Sequence, residues 1–178
     1  TASPNNATQQ YLYRVNIEKI NILQKVKKIV SKPRPDPEPV SAAELKGMHG
    51  YEISPNGKYA THSFSSHNTA TVREWISLPD NKPLNPAKSI AANIKTDSNV
   101  DIEFLQVTTD DNITLDAWIN KPKNFDPSKK YPVVFYVYGE PASSTVMDRY
   151  GGQNNFLYKG DMRADGYIQV AVDNRGTP

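Results

Sequence analysis

The chain contains no cysteine. That excludes disulfides, zinc-thiolate sites and a thiol nucleophile, while leaving the compartment open. No stretch of ~18 apolar residues occurs, so no segment reads as a membrane-spanning helix. The polar start, Thr1-Ala2-Ser3-Pro4-Asn5-Asn6, has no basic region followed by an apolar run and does not read as a leader. Charge of one sign is also scarce. A formal net charge of +2 is too small to argue for nucleic acid, and the densest basic run, Lys25 to Arg34, reads as a solvated face. Apolar residues make up only 37% of the 178 residues, against ~45–50% in ordinary domains. Either the chain is β-rich with much surface, or its apolar faces are completed by material outside it.

What is present is mostly strand. Tyr11 to Ile17 alternates aromatic or branched residues with polar ones, the period of a half-buried strand. Residues 20–30 fit a short helix or an irregular strand. In the run from Pro33 to Pro39 every second residue is proline, which predicts an extended, exposed connector. Three short strands follow, Tyr51–Ser54, Tyr59–Ser65 and Thr71–Leu78. The first two are joined by Pro55-Asn56-Gly57-Lys58, a sequence suited to a turn. Such a meander cannot cover both of its faces and needs neighbours, as a propeller blade does.

The pattern changes near residue 95. Ile102–Val107 and Ile113–Ile119 flank Asp110-Asp111-Asn112 and predict a hairpin. Val133–Tyr138 and Gly166–Val172 are nearly unbroken apolar runs, which predict strands covered on both faces. Asn154 to Ala164 is suited to a crossover helix, with Phe156, Leu157 and Met162 facing inward. A parallel sheet of so few strands would leave faces and an edge bare, so the chain reads as an incomplete piece of a larger protein. The fold class expected is mixed β and α/β: the last part of a β-propeller, residues 1–95, then the start of an α/β-hydrolase sheet, residues 96–178.

Little catalytic machinery is visible. No G-x-S-x-G nucleophile elbow exists, and the histidines His49, His62 and His67 lie in the meander half, where packing or surface roles are expected of them. No G-x-G-x-x-G follows either apolar strand, which removes a dinucleotide site. Neither a metal nor a cofactor is expected. Asn6-Ala7-Thr8 and Asn112-Ile113-Thr114 match a glycosylation pattern too short to carry weight. One residue stands where chemistry is plausible: Tyr138, at the end of the first apolar strand. Its hydroxyl is either a fixed donor toward a developing oxyanion or simply the tip of a strand-end aromatic.

Lys129-Lys130-Tyr131-Pro132, Val137-Tyr138-Gly139-Glu140-Pro141 and Asp173-Asn174-Arg175-Gly176 resemble, in order and spacing, the opening of the catalytic domain of the dipeptidyl peptidase IV branch of the prolyl oligopeptidase family. Upstream, Leu12-Tyr13-Arg14-Val15 and Ile53 to Tyr59 resemble strands of its last propeller blades. The sequence departs from the usual pattern at Gly139-Glu140, where Ala-Gly is common. The resemblance implies a serine exopeptidase that releases N-terminal Xaa-Pro dipeptides from peptides with a free N-terminus. It implies that Tyr138 is the side-chain oxyanion donor and that the Ser/Asp/His triad lies outside this chain, which alone would be inactive. It further implies a homodimeric parent, periplasmic or secreted and possibly membrane-anchored. Glu52, Glu74 and Glu140 are not expected to hold the substrate amine, and Arg175 is expected to tie the loop after the second apolar strand. The competing reading is a non-catalytic β-rich binding module.

Overall fold

A computed structural model describes residues 6–15, 38–140, 143–154 and 157–177. The expected element at residues 20–30, the end of the first expected strand at Ile17 and most of the proline run fall outside the described residues. Of the first strand, Tyr13–Arg14 (β1) pairs antiparallel with Glu38–Pro39 (β2). Gln10 bridges to Met48, which lays this segment along the meander.

The meander forms as the alternation predicts. Met48–Ile53 (β3), Tyr59–Ser66 (β4), Thr69–Ser77 (β5) and the short Lys82–Pro83 (β6) make a four-stranded sheet in chain order, each antiparallel to the next. At the β3–β4 turn Gly57 takes φ +68°, a conformation that disfavours a side chain, and the Ser54 hydroxyl donates to the Tyr59 carbonyl at 2.8 Å. The side-chain period of two puts His49 and Tyr51 of β3, Ala60, His62 and Phe64 of β4, and Glu74 and Ile76 of β5 on one face. Ile90 joins them from helix α1, Ile90–Asn93, which follows a single 3-10 turn at Pro86–Lys88. Of these, Ala60, Phe64, Ile76, Ile90, His49 and His62 are all buried. The other face carries Tyr59, Thr61 and Ser63 opposite Ser77, Trp75 and Arg73, and Trp75 is 64% exposed. Gly47, just before β3, is required by close approach: a Cβ there would lie 2.3 Å from the Ser65 carbonyl oxygen.

The second sheet is mixed. The predicted hairpin forms as Ile102–Thr108 (β7) and Thr114–Asn120 (β8), with Asn112 at φ +61° in its turn. Val133–Tyr136 (β9) and Ile168–Val172 (β10) complete it in the order β7-β8-β10-β9. β10 runs antiparallel to β8 and parallel to β9. Ile102, Trp118, Val146 and Ala171 form its core.

The strand from Val133 is left bare among the described residues, in keeping with the faces expected to be completed from outside the chain: Val133, Phe135, Tyr136, Val137 and Tyr138 are 45–66% exposed. β9 is an edge strand, paired only with β10, and no described helix lies over it. Nor do the described residues of Asn154–Ala164 form the expected crossover helix: residue 157 and residues 162–166 are turns. Gly160 interrupts the segment, and the Asp161 carboxylate accepts from the backbone N–H groups of Arg163 and Ala164, a local turn that competes with helix. Met162 is buried as expected, whereas Leu157 is 79% exposed.

Candidate active-site loop around Tyr138

Because β9 and β10 are parallel, their C-terminal ends open on the same edge of the sheet, where α/β sheets build their sites. Tyr136 is in register with Ala171, so Tyr138 and Asp173, each two residues further on, emerge side by side. Gly139, at φ +81°, turns the chain directly after Tyr138. Tyr138 is 46% exposed and lines an open depression of about 280 Å³ together with Trp118, Tyr136, Thr145, Arg149 and Gln153.

The wall opposite is residues 143–154, held by two aspartates. Asp173 accepts from the Thr145 backbone N–H at 2.6 Å, the Thr145 hydroxyl at 2.7 Å and the Val146 N–H at 3.1 Å. The indole N–H of Trp118 donates to the Thr145 carbonyl at 3.3 Å. Asp148, itself buried, accepts from the His67 backbone N–H and from His67 Nδ1, both at 2.8 Å, and from Gln9 Nε2 at 3.1 Å. Its own N–H donates to the Thr8 carbonyl at 2.7 Å. The turn between β4 and β5, the N-terminal segment and the wall of the depression therefore meet at one carboxylate. Neither aspartate was singled out from sequence. Asp173 was legible only as the first residue of Asp-Asn-Arg-Gly.

The remaining sequence candidates are placed as follows. Arg175 does tie its loop: its Nη2 lies 2.5 and 2.6 Å from the two carboxylate oxygens of Asp111 on the β7–β8 turn. The Thr109 hydroxyl and then Arg175 hold Asp111 below the usual carboxylate range. The pair is exposed and contributes little to stability. Glu52 accepts a hydrogen bond from the Thr61 hydroxyl at 3.3 Å, Glu140 is exposed, and Glu74 is engaged in the meander interior. His49 and His62 pack as expected, buried at 1% exposure each, but both ring nitrogens of each are hydrogen-bonded. No group of three or more metal-binding side chains occurs among the described residues. No helix among them is long and apolar enough to cross a membrane.

No family model matches the chain. Curated relatives do. A probable dipeptidyl-aminopeptidase B of Talaromyces marneffei is 28% identical over 182 residues, covering 99% of this chain and 18% of the relative. Its counterpart in Botryotinia fuckeliana is 30% identical over 147 residues, covering 80% of this chain and 15% of the relative. The chain thus spans less than a fifth of the curated relatives it matches. Among solved structures, the Porphyromonas gingivalis dipeptidyl peptidase 4 crystal structure superposes with a TM-score of 0.65 at 25% identity, over 95% of this chain and 21% of that one. The chain therefore resembles one segment of much longer proteins that are named as peptidases. More particularly, it is dipeptidyl peptidase IV-like along nearly its whole length.

Proposed function

We propose that this chain is the junction between the propeller and the α/β-hydrolase domain of a serine exopeptidase that removes Xaa-Pro dipeptides from free peptide N-termini. In this reading residues 1–95 complete the propeller and residues 96–178 open the hydrolase domain. The observation that carries it is the strand order of the second sheet. An antiparallel hairpin, β7-β8, is followed by a parallel pair whose later strand, β10, inserts between β8 and β9. That order supports reading the sheet as the opening of an α/β-hydrolase domain, and Tyr138 as part of the loop from which such enzymes draw part of the oxyanion hole.

Tyr138 then acts as a hydroxyl donor to the oxyanion formed when a serine attacks the carbonyl after proline. Tyr138 lines the depression, two residues beyond the end of β9 and directly before Gly139. In this reading the serine, histidine and aspartate come from outside the chain, in which no G-x-S-x-G is present. A homodimeric, periplasmic or secreted parent accompanies the proposal.

The test is hydrolysis of a Gly-Pro chromogenic amide. The natural protein carrying this sequence is expected to turn it over and to be labelled by a serine-reactive fluorophosphonate, while the 178-residue chain does neither. Turnover by the pure chain, or a natural protein inert to both reagents, would overturn the reading.

A further inference from the structure

The interior of the meander holds a line of hydrogen bonds whose protons can be counted. His49 Nε2 lies 2.7 Å from the Leu45 carbonyl oxygen, His49 Nδ1 lies 2.8 Å from His62 Nε2, and His62 Nδ1 lies 2.8 Å from Glu74 Oε1. The second carboxylate oxygen of Glu74 accepts the Ile90 N–H at 3.0 Å. Three contacts in series need three protons. The carbonyl brings none, and two neutral imidazoles bring one each. His49 must donate to Leu45, so its Nδ1 is bare, and a neutral His62 can place its one proton either toward His49 or toward Glu74. With only two protons, either two bare ring nitrogens face each other or a bare nitrogen faces a carboxylate oxygen, and both are costly in a buried site.

We propose that His49, His62 and Glu74 form a single-proton lock, in which the three groups together retain one proton beyond two neutral imidazoles and an ionised carboxylate. The lock spans β3, β4 and β5 and, through Ile90, the start of α1. Losing the proton leaves one of the two contacts of His62 without a donor. Adding a second forces one N–H against another between the two rings. Either change parts strands that the line joins.

The groups facing it leave no other source for the proton. Tyr51 of β3 stacks on His62 with ring centroids 4.5 Å apart, and its hydroxyl is paired with the Ser41 hydroxyl. Tyr11 of the N-terminal segment lies 5.0 Å from His49, and its hydroxyl donates to Gln9. Phe64 of β4 is apolar and 5.1 Å from His49. Helix α1 contributes only the Ile90 N–H. Burial raises both tyrosines, Tyr51 to about 12, with Glu74 adding to that rise; Asp148 and Tyr13 add to the rise at Tyr11. Both stay neutral throughout the range considered. Burial also disfavours a full charge on either ring taken alone, although Glu74 opposes this at both. The retained proton therefore belongs to the His62–Glu74 contact rather than to an isolated imidazolium.

Glu74→Gln separates the outcomes. Its amide N–H satisfies His62 Nδ1 and its oxygen keeps the Ile90 N–H, so two neutral rings fill every contact and no extra proton is needed. Above the ordinary histidine range the unfolded chain holds one proton fewer than the folded wild type. The wild-type unfolding constant is therefore expected to rise about tenfold per pH unit between pH 7 and 8.5, relative to E74Q. Equal pH slopes for the two proteins would overturn the lock. Should E74Q fail to fold, nitrogen and carbon NMR of the wild type at pH 8 decides. Three protons shared among the ring nitrogens of His49 and His62 and the Glu74 carboxyl support the lock. Two, one on each ring beside an ionised Glu74, refute it.

Discussion

Asp148→Ala removes the carboxylate at which three parts of the chain meet. The loss can be worked from its bonds. Asp148 accepts from the backbone and ring of His67 and from Gln9. His67 Nδ1 belongs to a side chain that is 24% exposed and can turn to water. The His67 backbone N–H and the Gln9 amide are left without an acceptor. At ~1–3 kcal/mol for each of these two orphaned donors, the alanine variant should lose about 2–6 kcal/mol. Asp148→Asn keeps one oxygen in place for both His67 bonds and forfeits only the contact to Gln9, about 1 kcal/mol. Urea unfolding followed by the fluorescence of the buried Trp118 measures both variants. Hydrogen exchange at the His67 N–H reports whether the meander turn has come away from the second sheet. The reasoning fails if Asp148→Ala unfolds within 1 kcal/mol of the wild type with unchanged protection at His67.

Two further outcomes follow from the same packing. Burial, with His62 adding to it, lowers His49 to about 4, so its neutral form stabilises the fold above the unfolded value of ~6.5. That contribution is lost as pH falls from ~6.5 toward 4, roughly 3 kcal/mol in all at ~1.4 kcal/mol per unit. The His49 Cε1 proton resonance should titrate near 4, and a midpoint near 6.5 would contradict the burial argument. The exposed apolar edge at β9 should make the chain self-associate at high concentration. Phe135→Lys, at a residue 66% exposed, should return it to a monomer by light scattering, whereas a wild type already monomeric at millimolar concentration would refute this.

The sequence was most informative where one rule governed the outcome. Alternation along Tyr59–Ser65 and Thr71–Leu78, with Asn56-Gly57 between strands, leaves little choice but a meander, and strands close to those limits form. The hairpin about Asn112 was equally legible. The run Val133–Tyr138 revealed a strand but not its surroundings, because apolar composition tells what a strand could bury, not what covers it. The segment Leu157–Ala164 failed for a local reason: Asp161 bonds its own backbone and Gly160 removes helical preference, and a search for apolar spacing gives neither weight. The clusters built by Asp148 and by His49, His62 and Glu74 were invisible for another reason. Their members come from positions up to 139 residues apart, and only strand register brings them together. Tyr138 stood out in the sequence because its neighbours form a pattern, and the structure shows it lining a depression.

The central proposal is that Tyr138 acts as an oxyanion donor in a dipeptidyl peptidase IV-like enzyme. In the natural protein that contains this chain, Tyr138→Phe should lower kcat for a Gly-Pro substrate by ~10²–10³ and leave KM nearly unchanged. The same substitution should leave the stability of the chain within about 0.5 kcal/mol, because the ring stays and the side chain is half exposed. An unaltered kcat in a well-folded Tyr138→Phe enzyme would reduce that tyrosine to a strand-end aromatic and contradict the proposal.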